Sequence, residues 1–189
     1  ARRPTSDGEV VTYVRAGALA MLDSRGSSAT VHAGDFRRTT AHRDLRHGVS
    51  NPSRTASAHA FRISLRSAAP RLEAQAEQRR FGLAEQPGGL CVVASPDGRL
   101  GSLRLHVDVV IHAVTLAPGQ HLAHALAPGR AAWVHVVTGD ATLGDFSLTT
   151  GDGAGVTDER AVSLTAQDAT ELLLLDLREP PAPVARARG

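Results

Sequence analysis

Short strand-like segments separated by tight-turn signals recur along almost the whole chain, at the roughly eight-to-twelve-residue intervals of β-sandwiches and barrels. Glu9-Val10-Val11-Thr12-Tyr13-Val14 is β-rich and ends at a turn centred on Ala16-Gly17. Leu19 to Leu22 follows, then Asp23-Ser24-Arg25-Gly26, a hairpin turn in which glycine supplies the positive φ. Ala29-Thr30-Val31-His32 precedes a second turn at Ala33-Gly34-Asp35. His59-Ala60-Phe61-Arg62-Ile63-Ser64-Leu65 alternates cleanly, with His59, Phe61, Ile63 and Leu65 on one face. If that face points inward, His59 lies inside a barrel.

The rhythm breaks over Ser67 to Pro87, which is rich in Ala, Glu, Gln and Arg and reads as a connection. A second series then spans Leu90–Ala94, Gly101–His106, Val109–Leu116, Ala132–Val137, Ala141–Leu143, Ala161–Leu164 and Glu171–Leu177. Turn markers such as Pro96-Asp97-Gly98, Pro118-Gly119, Pro128-Gly129 and Thr138-Gly139-Asp140 divide these segments. No helix beyond a turn or two is needed. The expected class is all-β, in two consecutive small barrels: 1–66, a connection over 67–89, and 90–178. A Pro-, Ala- and Arg-rich tail over 179–189 is expected to be disordered.

Composition excludes several functions. No apolar run approaches the roughly 20 residues of a membrane helix, and Ala1-Arg2-Arg3-Pro4 does not begin a signal peptide. The chain opens without Met, as expected of a processed or truncated product. Cys91 is the only cysteine, so an internal disulfide and a Cys-rich zinc site are excluded, and a cytoplasmic setting is expected. Aromatics make up 3% of the chain, so aliphatic residues must fill the cores. The 21 basic residues are all arginine and mostly scattered, against 19 acidic ones. A nucleic-acid surface needs clustered charge and stacking aromatics, so neither nucleic acid nor membrane is an expected partner.

At this point the wording of the segments resembles a known family. Asp7-Gly8-Glu9-Val10-Val11-Thr12-Tyr13-Val14, Ala33-Gly34-Asp35-Phe36, Leu45-Arg46-His47 and Asn51-Pro52-Ser53 are similar to successive motifs of the pirin family of bicupins. Glu77-Gln78-Arg79-Arg80-Phe81, Ser95-Pro96-Asp97-Gly98, Trp133-Val134-His135-Val136-Val137-Thr138-Gly139 and Leu173-Leu174-Leu175-Asp176-Leu177 continue the resemblance in the same order. It implies two cupin barrels (double-stranded β-helices), the first lacking its usual leading strands in this sequence. It also implies a single metal, commonly iron, in the first barrel, held by three His and one Glu, with quercetin 2,3-dioxygenase-like activity in some members.

This sequence departs from that ligand pattern. Alignment on Thr12-Tyr13-Val14 puts Arg3 and Thr5 at the first two His positions, and alignment on Arg46-His47 keeps His47 but places Val49 at the Glu position. A single imidazole does not hold a metal against water, and an Arg repels a cation, so no metal and no other cofactor is expected. No spacing signature supports a substitute site built from Glu9, His42 and His47. His121 and His124 sit in a loop-like stretch from Gly119 to Pro128 and read as hydrogen-bonded structural residues.

The expected pocket therefore comprises Thr5, Glu9, His42, Val49 and His59 around His47 and Arg3. Two functions follow from it. The first is a small-molecule-binding or protein-binding regulatory role for the vestigial pocket. The alternative is a metal-independent lyase, isomerase or cyclase, in which Arg3 holds a carboxylate or enolate and His47 acts as general acid or base. A metal-dependent quercetinase-like activity fits the missing ligands least.

Overall fold

The computed structural model describes residues 8–41, 47–66, 73–83 and 88–179. Among them, strands form nearly all the regular structure, with one turn of 3-10 helix at Arg99–Gly101. The first half contributes β1 (Gly8–Ala16), β2 (Ala18–Asp23), β3 (Ser28–His32), β4 (Asp35–Ala41), β5 (His47–Ser50), β6 (His59–Arg66) and β7 (Ala76–Arg80). The second begins with β8 (Cys91–Ser95), β9 (Leu103–Arg104), β10 (Val109–Leu116), β11 (His121–Ala125) and β12 (Arg130–Thr138). It ends with β13 (Ala141–Leu143), β14 (Phe146–Leu148), β15 (Gly153–Val156), β16 (Ala161–Ala166) and β17 (Thr170–Arg178).

These strands build four sheets, in the orders β3-β2-β5, β6-β1-β4-β7, β15-β12-β17-β10-β8-β9 and β11-β16-β13-β14. The last two enclose an aliphatic core that includes Val114, Leu122, Val134, Val136, Val162, Leu164, Leu172 and Leu174. A second core joins the two halves. Val11, Tyr13 and Phe36 of the β6-β1-β4-β7 sheet meet Val93, Ile111, Ala113, Leu173 and Leu175 of the six-stranded sheet. Tyr13 stacks on Phe36 at 4.3 Å, and Phe81 meets Phe36 edge-on at 5.7 Å. The scarce aromatics are thus concentrated at the seam, where their area contributes most. The third gap, between β3-β2-β5 and β6-β1-β4-β7, has no such filling and holds a cavity instead.

Strand β1 shows why. Gly8 to Val14 are all buried, because β1 is central in a sheet covered on both faces. Val10 and Thr12 face the cavity, while Val11 and Tyr13 face the seam.

Two expectations are corrected. Ala76–Arg80, assigned by composition to the connection, pairs with β4 as the edge strand of the first large sheet. Its polar sequence suits an edge strand half-exposed to water. The segment His121–Ala125, expected to be a loop, pairs with β16 throughout. The tail from residue 180 lies outside the described residues.

One glycine is demanded by geometry. Gly139 follows β12 at φ 88°, and a Cβ there would lie 2.6 Å from the Ala169 carbonyl oxygen and 2.7 Å from the Thr170 Cα. Gly139→Ala is expected to cost at least about 1 kcal/mol through backbone strain and collision. Thermal unfolding followed by circular dichroism checks this; a melting temperature unchanged from the parent would refute it.

Candidate functional site

The cavity between the β3-β2-β5 and β6-β1-β4-β7 sheets measures about 170 Å³. Strand register lays out one wall. Thr12 of β1 is flanked by Arg62 of β6 on one side and Arg37 of β4 on the other, and Arg37 is in turn flanked by Gln78 of β7. The Arg37 Nη1 donates to Gln78 Oε1 at 3.3 Å. The opposite wall brings Met21, Leu22 and Asp23 from β2 and His47 and Val49 from β5.

Electrostatics within this space are uneven. Burial pushes the His47 imidazole below its usual range; Asp23 opposes that shift, and Arg62 and Arg37 reinforce it. Burial likewise lowers Arg37, with Asp23 opposing. Asp23 itself is partly desolvated, yet the amides of Ser27 and Arg25, each 2.9 Å from Oδ1, hold its carboxyl below the ordinary value. Its charge is therefore committed to the hairpin turn. Among the described residues, two buried nitrogens of the cavity lining have no hydrogen-bond partner: Arg37 Nε, a donor, and His47 Nε2, which donates or accepts according to the imidazole tautomer.

The expected pocket residues divide into three groups. His47 and Val49 line the cavity. Arg3, Thr5 and His42 lie outside the described residues. Glu9 and His59 are not in the cavity, and both expectations are corrected. Glu9 has the opposite parity to Val10 and Thr12, so it points toward the second half of the chain. There its carboxylate accepts the His106 backbone N–H at 2.7 Å and lies 3.0 Å from His106 Nδ1 and 3.6 Å from Arg38. His59 lies at the exposed end of β6, its ring 4.8 Å from Phe61, and the Phe61, Ile63 and Leu65 face packs into the seam. The apolar face of β6 is thus the outer face of its barrel, and Arg62 points inward.

Arg37, Arg62, Thr12 and Asp23 were not among the expected site residues. Their signal was the same alternation read with the opposite polarity: Arg37 and Thr39 of β4 line the cavity, and Arg62 stands on the face of β6 opposite Phe61, Ile63 and Leu65.

A second polar cluster closes one end of the other barrel. His124 Nε2 lies 2.9 Å from Asp176 Oδ2, Arg130 Nε donates to Asp176 Oδ1 at 2.7 Å, and Arg130 Nη1 donates to Asp108 at 2.7 Å. The His112 ring lies 4.9 Å from that of His124. The expected structural, hydrogen-bonded role of His124 agrees with these contacts.

The family model described as Pirin matches residues 1–64, and one described as the quercetinase C-terminal cupin domain matches residues 92–177. Quercetin 2,3-dioxygenase of Escherichia coli strain K12 is 35% identical over 174 residues, spanning 92% of this chain and 74% of that protein. The chain belongs to the pirin family. The crystal structure of the bacterial pirin YhhW from Escherichia coli in complex with nickel(II) superposes with a TM-score of 0.87 at 34% identity, covering 95% of this pirin and 76% of that chain. YhaK from the same organism shares the fold, with a TM-score of 0.83 at 23% identity, over 94% of this chain and 78% of its own. The two pairs of sheets in this pirin are accordingly cupin barrels. No helix among the described residues is long and apolar enough to cross a membrane.

Proposed function

We propose that this pirin binds a small molecule in its first-barrel cavity without a metal ion. The observation that carries this reading is the lining of the cavity: three arginines against one aspartate, and one histidine, with Arg37 Nε and His47 Nε2 buried and without a hydrogen-bond partner among the described residues.

The residues present do not fit a cation of the kind named with the Escherichia coli pirin. Arg3, Thr5 and Val49 stand at three family ligand positions, leaving His47. Arg37 and Arg62 add positive charge beside that imidazole, which disfavours a second cation. Among the described residues, no group of three His, Cys, Asp or Glu side chains converges. Binding is favoured over acid–base catalysis because Glu9 and His59 turn away from the cavity and Asp23 is held by turn amides. His47 is left without a second poised acid or base among the described residues.

Elemental analysis of protein purified without chelator tests the reading. The expected result is iron, nickel and other transition metals far below one per chain, with His47→Ala unchanged from the parent. Near-stoichiometric metal that His47→Ala removes would overturn it.

A further inference from the structure

We infer that the first-barrel cavity is built for a small organic carboxylate, gripped between Arg37 and Arg62 with its apolar body against Met21, Leu22 and Val49. The inference rests on the proposed metal-free binding role and names its ligand class.

The strand register sets the geometry. Arg62, Thr12 and Arg37 stand side by side on one wall, and neighbouring strands lie about 4.8 Å apart, so the two arginine Cα positions are about 10 Å apart. Two long guanidinium side chains from those positions can converge on one group above Thr12. Like charges so placed repel one another, and burial adds to the cost for Arg37.

The described residues relieve that cost only in part: Asp23 favours the charged form of Arg37, and Arg37 Nη1 donates to Gln78 Oε1 at 3.3 Å. Among the described residues the Arg37 Nε is buried and unpartnered, and an unmet buried donor is costly, more so when it is charged. Asp23 influences both Arg37 and His47 electrostatically, but its Oδ1 is engaged by the Arg25 and Ser27 amides. His47 Nε2 is also buried and without a partner among the described residues, and in the tautomer protonated there it offers a second donor. An orphaned guanidinium donor and an excess of arginine over carboxylate in one cavity specify an anion. A planar fork of donors matches a carboxylate best, since two parallel N–H···O bonds can form.

The remaining lining specifies the rest of the ligand. Val10, Met21, Leu22, Val49, Ala74 and Ala76 offer apolar surface, which a bare inorganic anion would leave uncovered. The volume of about 170 Å³ is close to the roughly 150 Å³ of a cavity that accepts benzene. One ring or a short branched chain bearing a carboxylate fits this volume.

Isothermal titration and His47 imidazole NMR shifts, both in the presence of chelator, test this with benzoate, benzamide, benzyl alcohol and inorganic phosphate. Benzoate is expected to bind saturably and benzamide about tenfold or more weakly. Arg37→Gln and Arg62→Gln are each expected to weaken benzoate by about tenfold or more, with Arg37→Lys intermediate. Arg62 is exposed, so Arg62→Gln carries the test if Arg37→Gln fails to fold. Equal affinity for benzamide, benzoate affinity unchanged in both Gln variants, phosphate tighter than benzoate, or no binding of benzoate would each overturn the inference. Benzyl alcohol or benzamide binding in place of benzoate would overturn the carboxylate class alone. Benzoate binding only after nickel or iron is added would overturn the metal-free reading as well.

Discussion

Replacing Glu9 with alanine is expected to lower the free energy of unfolding by about 3–5 kcal/mol, the usual effect of removing one partner of a buried ion pair. Glu9 is 1% exposed and Arg38 4% exposed. The Glu9 carboxylate serves three donors on two barrels: the His106 backbone N–H, the His106 ring and Arg38. Arg38 has other contacts, at 2.9 Å to Thr40 Oγ1 and 3.9 Å to Glu77, but its Nε is already buried without a partner among the described residues. Alanine would leave that guanidinium facing an apolar seam and strip the His106 amide of its acceptor. Glu9→Gln keeps an acceptor oxygen and the side-chain volume, so it is expected to recover part of the loss. Equilibrium urea unfolding with matched slopes measures both variants; a Glu9→Ala protein within about 1 kcal/mol of the parent would show that the pair contributes little.

Acid is expected to loosen the second barrel through His112. This ring is 5% exposed on β10, points with Val114 and Leu116 into the aliphatic core, and has an unpartnered Nδ1. Burial, reinforced by neighbouring His124 and opposed by Asp176, lowers its pKa to about 4. In the unfolded chain the same imidazole titrates near the ordinary 6.5. Between those values the unfolded state holds a proton that the folded state refuses. Stability is therefore present in full above pH 6.5 and falls as pH drops toward 4, by about 3 kcal/mol in total. His112→Leu removes the titrating group, so its stability should vary less over this window than the parent's. The measurement is urea unfolding at pH 7, 5.5 and 4.5. Parallel pH profiles for the two proteins would rule His112 out as the origin.

Much of the architecture was legible because it depends on local chemistry. The Asp23-Ser24-Arg25-Gly26 turn reads directly: the aspartate accepts the Arg25 and Ser27 amides, and Gly26 takes a φ of 88°. The long strands at Val109–Leu116 and Thr170–Arg178 declare themselves by apolar continuity, since both their faces are covered. His121-Leu122-Ala123-His124-Ala125 did not, because it lacks β-branched residues and owes its strand to pairing with β16. Alternation in His59–Arg66 separated two faces correctly but could not say which one was the barrel interior. In a single barrel the apolar face is the inner one. Here the seam between two barrels claimed it, and the cavity received Arg62. His47 and Val49 were found through the family motif, whereas Arg37 and Arg62 meet only through strand register, which one segment read alone does not contain.

The unfilled gap between the β3-β2-β5 sheet and its neighbour bears on how this pirin breathes. Both aliphatic clusters lie on the far side of β1 from that small sheet, and Leu22 and Val49 on it are 56% and 41% exposed. With Val31 as its one fully buried apolar side chain, this sheet is expected to open before β10, β12 and β17, which carry much of the two clusters. Such opening would uncover the arginine wall without disturbing the seam, and solutes would then exchange with the cavity by a local fluctuation rather than by refolding.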